Sequence, residues 1–153
     1  MQQSQPTATL STIGYEGCTS ETYFEKLMNA GITVLCDVRR NPISRKPGFS
    51  RSALARGCEE HGIRYVHLPA LGIASDKRKT VRTQEDYDAL FAEYETNCLP
   101  NQQEDIGKIQ GLIDAGERVA LSCFERKASQ CHRHCVSDVL RRANNKLLRV
   151  SNL

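Results

Sequence analysis

Ile32-Thr33-Val34-Leu35-Cys36-Asp37-Val38 is a near-continuous apolar run between Gly31 and an Arg-rich loop. It is short for a helix and lacks the strict alternation of a strand with one wet face. Such a run fits a strand covered on both sides, as in a parallel sheet whose crossovers lay helices on both faces. The rest of the chain supplies the alternation this requires. Thr7 to Ile13 is β-rich and closes on Gly14, and Ser20 can cap a helix with Tyr23, Phe24, Leu27 and Met28 on one face. Ser50 can cap a second helix with Leu54 and Cys58 inward, and Ile63 to Leu68 alternates as a third strand before Pro69. Gln84 to Thr96 and the segment with Ile106, Ile109, Leu112 and Ile113 read as helices, Arg118 to Phe124 as a fourth strand, Cys131 to Ala143 as the last helix and Lys146 to Val150 as a short fifth strand. The expected fold is therefore α/β: a Rossmann-like three-layer domain over residues 9–153 with a mainly parallel sheet of about five strands, after a flexible N-terminus at 1–8.

Several functions are excluded at this level. No G-x-G-x-x-G follows the first strand and no G-x-x-x-x-G-K-[ST] occurs, so neither the dinucleotide grip nor the P-loop is present and no cofactor is indicated. A 39% hydrophobic and 25% charged composition is ordinary for a globular chain. No segment approaches the roughly 20 apolar residues of a membrane span and the first residues do not read as a signal peptide, so the expectation is a cytoplasmic protein without a membrane partner. The 7 cysteines are odd in number and irregular in spacing, which predicts reduced thiols rather than a disulfide scaffold. Cys123, Cys131, His132, His134 and Cys135 are the obvious metal candidates, but the C-x-x-C knuckle of structural zinc is missing and no metal is predicted.

Charge is unevenly placed. Residues 37–82 carry eleven Lys/Arg against four Asp/Glu, residues 83–117 one against nine, and residues 118–153 eight against two. The acidic block falls on helical spacing and reads as a solvated face, whereas the basic blocks cluster at strand ends, where open α/β sheets bind ligands. The first strand delivers Tyr15 to that edge, the second Asp37, Arg39, Arg40, Ser44 and Arg45, the third His67, and the fourth Cys123, Glu125 and Arg126. Asp37 can hold an arginine by paired hydrogen bonds, while Arg39 and Arg45 present planar donors suited to phosphate or carboxylate. Cys131 falls near the first turn of a helix, where backbone N–H groups favour a thiolate or an anion, and His132 and Arg133 stand beside it.

The same residues carry a resemblance. Thr12-Ile13-Gly14-Tyr15, Leu35-x-Asp37-Val38-Arg39-x-x-Pro42-x-Ser44-Arg45 with Pro47-Gly48-Phe49-Ser50, Tyr65-x-x-Leu68-Pro69-x-Leu71-Gly72, and Cys123-Phe124-Glu125-Arg126 with Cys131-His132-Arg133 follow the order and spacing of domain-of-unknown-function family 488. The resemblance spans roughly residues 9 to 150. It implies an α/β domain with signature residues at these positions and no assigned activity. Ala128 departs from a common Pro, and Asn152 stands where that family usually ends in a His.

The resulting expectation is an Arg/Cys/His-lined anion pocket at the strand C-terminal ends, acting on a phosphate-bearing nucleotide, other small molecule or nucleic acid. Tyr15, Arg39, Ser44, Arg45, Cys123, Arg126 and Arg133 are the expected ligand contacts. Cys131, Glu125, Asp37 and His132 are the candidate catalytic groups, with His67 also available for acid/base work. Two alternatives stay open, a non-catalytic nucleic-acid or anion-binding module and cysteine-dependent sulfur or acyl transfer. Aromatic residues make up only 6% and Trp is absent, which disfavours single-strand binding by stacking.

Overall fold

A computed structural model describes residues 8–144 and 147–153, the side chains of residues 75 and 76 excepted. Five strands, β1 (Thr9–Gly14), β2 (Val34–Asp37), β3 (Arg64–His67), β4 (Val119–Cys123) and β5 (Arg149–Asn152), form one sheet in the order β3-β2-β4-β1-β5. Every neighbouring pair is parallel. The helices between them are α1 (Ser20–Asn29), α2 (Arg51–Glu60), α3 (Gln84–Glu93), α4 (Gln103–Asp114) and α5 (Arg133–Ala143). The mainly parallel three-layer fold expected from the sequence is what the chain adopts.

Side-chain alternation along the strands sorts the core into two layers. Leu35 of β2 and Ala120 of β4 pack with Tyr23, Phe24 and Leu27 of α1 and Leu54 and Cys58 of α2. Val34 and Cys36 of β2 and Val119, Leu121 and Cys123 of β4 point the other way, to Phe91 of α3, Ile109 of α4 and Val136 of α5. Connections leave β1 and β2 toward the β3 edge and leave β4 toward the β5 edge, and the right-handed crossover rule puts their helices on opposite faces. The crevice of such a sheet opens where the strand order reverses, here between β1 and β4 with β2 alongside.

Local details depart from the sequence reading. Thr19, not Ser20, is the N-cap of α1, its hydroxyl accepting from the Thr22 amide. Ser50 sits at the N-cap of α2 but its hydroxyl bonds Ser44, accepting from the Ser44 N–H and donating to the Ser44 carbonyl. The helix expected to reach Thr96 ends at Glu93 and widens into a π turn, Tyr94–Cys98, and α5 starts at Arg133 rather than Cys131. The fifth strand begins at Arg149 and reaches Asn152, and the start once expected for it, Lys146, lies outside the described residues, as does the N-terminal segment before Ala8.

Candidate functional site

The crevice is built from the ends of β1, β2 and β4 because two glycines allow backbones to touch. A Cβ on Gly14 would lie 1.7 Å from the Glu125 carbonyl oxygen, so only glycine lets the loop after β4 fold over the end of β1. A Cβ on Gly72 would lie 2.2 Å from the Arg40 nitrogen, and glycine there lets the segment after β3 close against the loop after β2. That second closure brings Arg78, at the end of the 3₁₀ turn Ser75–Arg78, over the end of β4.

The result is a pocket of about 360 Å³ lined by Tyr15, Arg39, Arg40, Asn41, Ile43, Ser44, Arg45, Ile73, Arg78, Cys123, Phe124 and His132. Five of the expected ligand contacts, Tyr15, Arg39, Ser44, Arg45 and Cys123, line it, and so does His132. Arg126 and Arg133 do not. Arg126 is exposed outside the pocket, and Arg133 is wholly buried with its guanidinium donating to the carbonyls of Glu125 and Arg126. Arg133 therefore braces the loop after β4, correcting its expected part as a phosphate contact.

Asp37 and Arg39 form the other brace. The Asp37 carboxylate, fully buried, accepts four bonds, from the Arg39 amide at 3.2 Å, Arg39 Nε at 2.8 Å, Arg39 Nη2 at 2.6 Å and the Tyr65 hydroxyl at 2.6 Å. Arg39 Nη1 donates to the Phe49 carbonyl at 2.7 Å and to the Tyr15 hydroxyl at 3.3 Å. The fork thus points into the protein, and Asp37 has no lone pair free for acid/base work. His67, whose Nε2 is 2.9 Å from the Arg39 carbonyl oxygen, also holds this loop rather than facing the pocket. Arg40 and Arg45, by contrast, are exposed and have no ion-pair partner among the described residues.

At the pocket floor, His132 Nε2 donates to the Val38 carbonyl at 2.8 Å, which leaves Nδ1 as an acceptor. Arg78 Nη2 donates to that Nδ1 at 2.8 Å, and Arg78 Nη1 reaches Glu125 Oε2 at 2.9 Å. The sulfurs of Cys123 and Cys131 and the His132 ring nitrogen lie within 4.8 Å of one another. Hydrogen bonding from Cys131, with His132 and Arg78 close by, holds the Cys123 thiol well below its ordinary pKa, against the effect of burial. Burial and the hydrogen bond to Cys123 push Cys131 well above its own. The Glu125 carboxyl, 3.8 Å from the Cys123 sulfur, is raised by burial and by that sulfur's charge. The thiolate of the pair therefore belongs to Cys123, the one facing the pocket, and not to Cys131, the candidate nucleophile of the sequence reading.

The family model Domain of unknown function DUF488 matches residues 19–140. The chain belongs to that family. The DUF488 match takes in every pocket-lining residue except Tyr15, and it leaves out β1 and β5. Asn152, where relatives were expected to carry a His, lies in β5 and accepts from the Thr12 hydroxyl at 2.5 Å, away from the pocket lining. No curated protein and no solved structure matches the chain.

Sequence reasoning missed Arg78, Ile73 and the rim. Arg78 lies in the polar, basic stretch between β3 and α3, and its bonds to Glu125 and His132, more than forty residues away, place it at the pocket. Ile43 and Phe124 are two of the four exposed large apolar side chains among the described residues, and both line this pocket. Cys36 and Cys58, packed in the core away from the pocket, are pushed up to about 12 by burial.

Proposed function

We propose that the crevice binds a phosphate-bearing small molecule and that the Cys123 thiolate at its floor attacks it. The observation that carries this reading is the juxtaposition of a thiol held below its ordinary pKa with three guanidinium groups, Arg40, Arg45 and Arg78, around one pocket. Planar guanidinium donors match phosphate oxygens, and Arg78 keeps a buried Nε–H with no acceptor among the described residues. Ile43 and Phe124 give the rim an apolar wall, so a ligand with a ring beside its phosphate, a nucleotide, fits better than inorganic phosphate. A pocket of this volume is at the small end of ligand sites, which favours a mononucleotide over a polymer.

The chemistry this arrangement supports is phosphoryl transfer through sulfur. Cys123 Sγ forms the S–P bond while the P–O bond to the leaving group breaks, and Glu125, whose carboxyl is raised by burial, serves as the acid that gives a proton to the departing oxygen. Water then cleaves the S–P bond, its proton returning to Glu125, and phosphate leaves with the thiolate restored. Arg78, beside both the thiolate and Glu125, balances charge on the transferring group.

A second reading, sulfur transfer, is favoured by the nearness of the two sulfurs. In it the Cys123 thiolate takes a sulfane sulfur from a thiosulfate- or persulfide-type donor, which leaves as sulfite or thiol. Cys131 then attacks the inner sulfur of the Cys123 persulfide, forming the Cys123–Cys131 disulfide and releasing hydrosulfide, and an added thiol reductant restores both cysteines. The two differ in their need for Cys131.

A thermal-shift series with nucleoside mono-, di- and triphosphates against the matching nucleosides tests binding. Stabilisation of about 2.7 kcal/mol is expected at a hundredfold excess over Kd. Cys123→Ser should keep the shift and abolish turnover, and Cys131→Ser should keep both. No shift from any phosphate ligand, or a shift unchanged in Arg45→Ala, overturns the binding reading. Turnover lost in Cys131→Ser selects sulfur transfer.

A further inference from the structure

Beyond the crevice, on the outer side of α5, a second group of chemistry-bearing side chains converges. Glu95 on the π turn after α3, His134 and Cys135 on the first turns of α5 bring one carboxylate oxygen, one imidazole nitrogen and one sulfur within 4.8 Å of one another. The two clusters differ in their surroundings. In the crevice Arg78 Nη2 occupies the Nδ1 lone pair of His132, so a cation there meets a guanidinium. Around Cys135 the charged neighbours are carboxylates, Glu95 and Asp138, the latter one helical turn further along α5. The π turn matters here because the wider loop of an i→i+5 turn re-aims one residue out of helical register, a feature frequent at functional sites.

The orientation of His134 is fixed from two sides. Its Nδ1–H donates to the Cys131 carbonyl at 2.6 Å, and its ring meets Phe91 edge-on at 5.0 Å. This is the outer-shell arrangement of a ligating histidine, whose second nitrogen then presents a lone pair. That nitrogen, Nε2, is 3.6 Å from Cys135 Sγ. Zinc bonds of roughly 2.3 Å to sulfur and 2.0 Å to nitrogen at a tetrahedral angle place the two atoms about 3.5 Å apart. Cys135 is buried while Glu95 and His134 are half-buried, so the site has a protected floor and an open side.

We propose that Glu95, His134 and Cys135 form a zinc site, with the fourth tetrahedral position left to solvent. A thiolate, an imidazole and a carboxylate suit the borderline-soft Zn²⁺ over hard cations that prefer all-oxygen shells. The His134-Cys135 dipeptide lacks the C-x-x-C knuckle, and its third ligand comes from about forty residues upstream through the π turn, so spacing alone does not reveal it. The ion ties the π turn after α3 to the start of α5, next to His132, which lines the crevice.

The test is titration of the reduced full-length protein with Zn²⁺ in competition with a chromophoric chelator, and with Co²⁺ as spectroscopic probe. One equivalent of Zn²⁺ should bind, with affinity falling at least about tenfold in His134→Ala and in Glu95→Gln. Co²⁺ should give thiolate-to-cobalt charge-transfer absorption that Cys135→Ser removes. Cys123→Ser, in the other cluster, should change neither measurement. Absence of binding, or binding lost in Cys123→Ser and kept in His134→Ala, overturns the proposal. Should Cys135→Ser fail to fold, the two half-buried positions decide, since neither belongs to the core.

Discussion

The sulfurs of Cys123 and Cys131 lie within 4.8 Å of one another, and the two thiols are pushed in opposite directions, Cys123 down and Cys131 up. The proton is held more tightly on Cys131, outside the pocket lining, and the charge is favoured on Cys123, which lines the pocket. Arg78, which contacts His132 and Glu125 in the same cluster, supplies the nearest positive charge.

Selective alkylation follows from this. An ordinary thiol of pKa about 8.5 is only a few per cent thiolate at pH 7, whereas the Cys123 thiol is held well below its ordinary pKa and carries a larger thiolate fraction. A small neutral alkylating reagent should label Cys123 first and leave Cys36, Cys58 and Cys131 unmodified in the folded state, as read by peptide mass spectrometry. Arg78→Met removes a positive neighbour, so its pH–rate profile should move to higher pH and its labelling rate at neutral pH should fall.

Glu125 carries a pH signature of opposite sign. Its carboxyl is raised in the folded protein, so the folded state keeps a proton that the unfolded chain loses near pH 4.3. Its contribution is full below that pH and declines as pH rises through the folded value. Urea unfolding from pH 4 to 7 should therefore show a steeper loss of stability with rising pH in the wild type than in Glu125→Gln. Parallel curves would mean that Glu125 is an ordinary carboxylate.

Within one basic loop, two arginines should behave differently. Arg39→Ala strips Asp37 of both charge-assisted bonds and leaves a buried carboxylate, at a cost of about 3–5 kcal/mol. Arg45→Ala, at an exposed position, should leave the midpoint of urea unfolding nearly unchanged while weakening phosphate-ligand binding. Equal stability loss in the two variants would return Arg45 to a purely structural part.

How much of this was legible in the sequence depends on the range of the interaction. The run Ile32–Val38 and the helix periodicities are local, and they gave the sheet and its layers. The rule that ligands bind at strand C-termini brings Tyr15, Arg40, Ser44, Arg45 and Cys123 to one edge of the sheet, where they line one pocket, and the helix start after Cys131 adds His132. What it could not give was direction. Asp37 and Arg39 satisfy each other, Arg133 turns to carbonyls two turns of chain away, and the proton of the thiol pair goes to Cys131, all of which depend on which face a side chain leaves from. Arg78 was invisible because its position rests on long-range contacts, its bonds to Glu125 and His132 and the close approach of Gly72 to Arg40.

The glycines test that steric account directly. At Gly14 an added methyl meets the Glu125 carbonyl oxygen at 1.7 Å, a backbone atom held by Arg133, so the loop after β4 must lift. Gly14→Ala should cost about 3 kcal/mol and lose the low-pH reactivity of Cys123, since Glu125 and Arg78 move with the loop. Gly107 and Gly111 lie on the exposed face of α4 with nothing within 4 Å of an added Cβ. There alanine only removes backbone freedom from the unfolded chain and improves helix propensity, so Gly107→Ala and Gly111→Ala should each stabilise by about 1 kcal/mol and leave Cys123 labelling untouched. Chemical denaturation of the three variants, with the alkylation profile of each, separates the two cases. A tolerated Gly14→Ala with unchanged thiol reactivity would show that close approach at this glycine is not what builds the pocket.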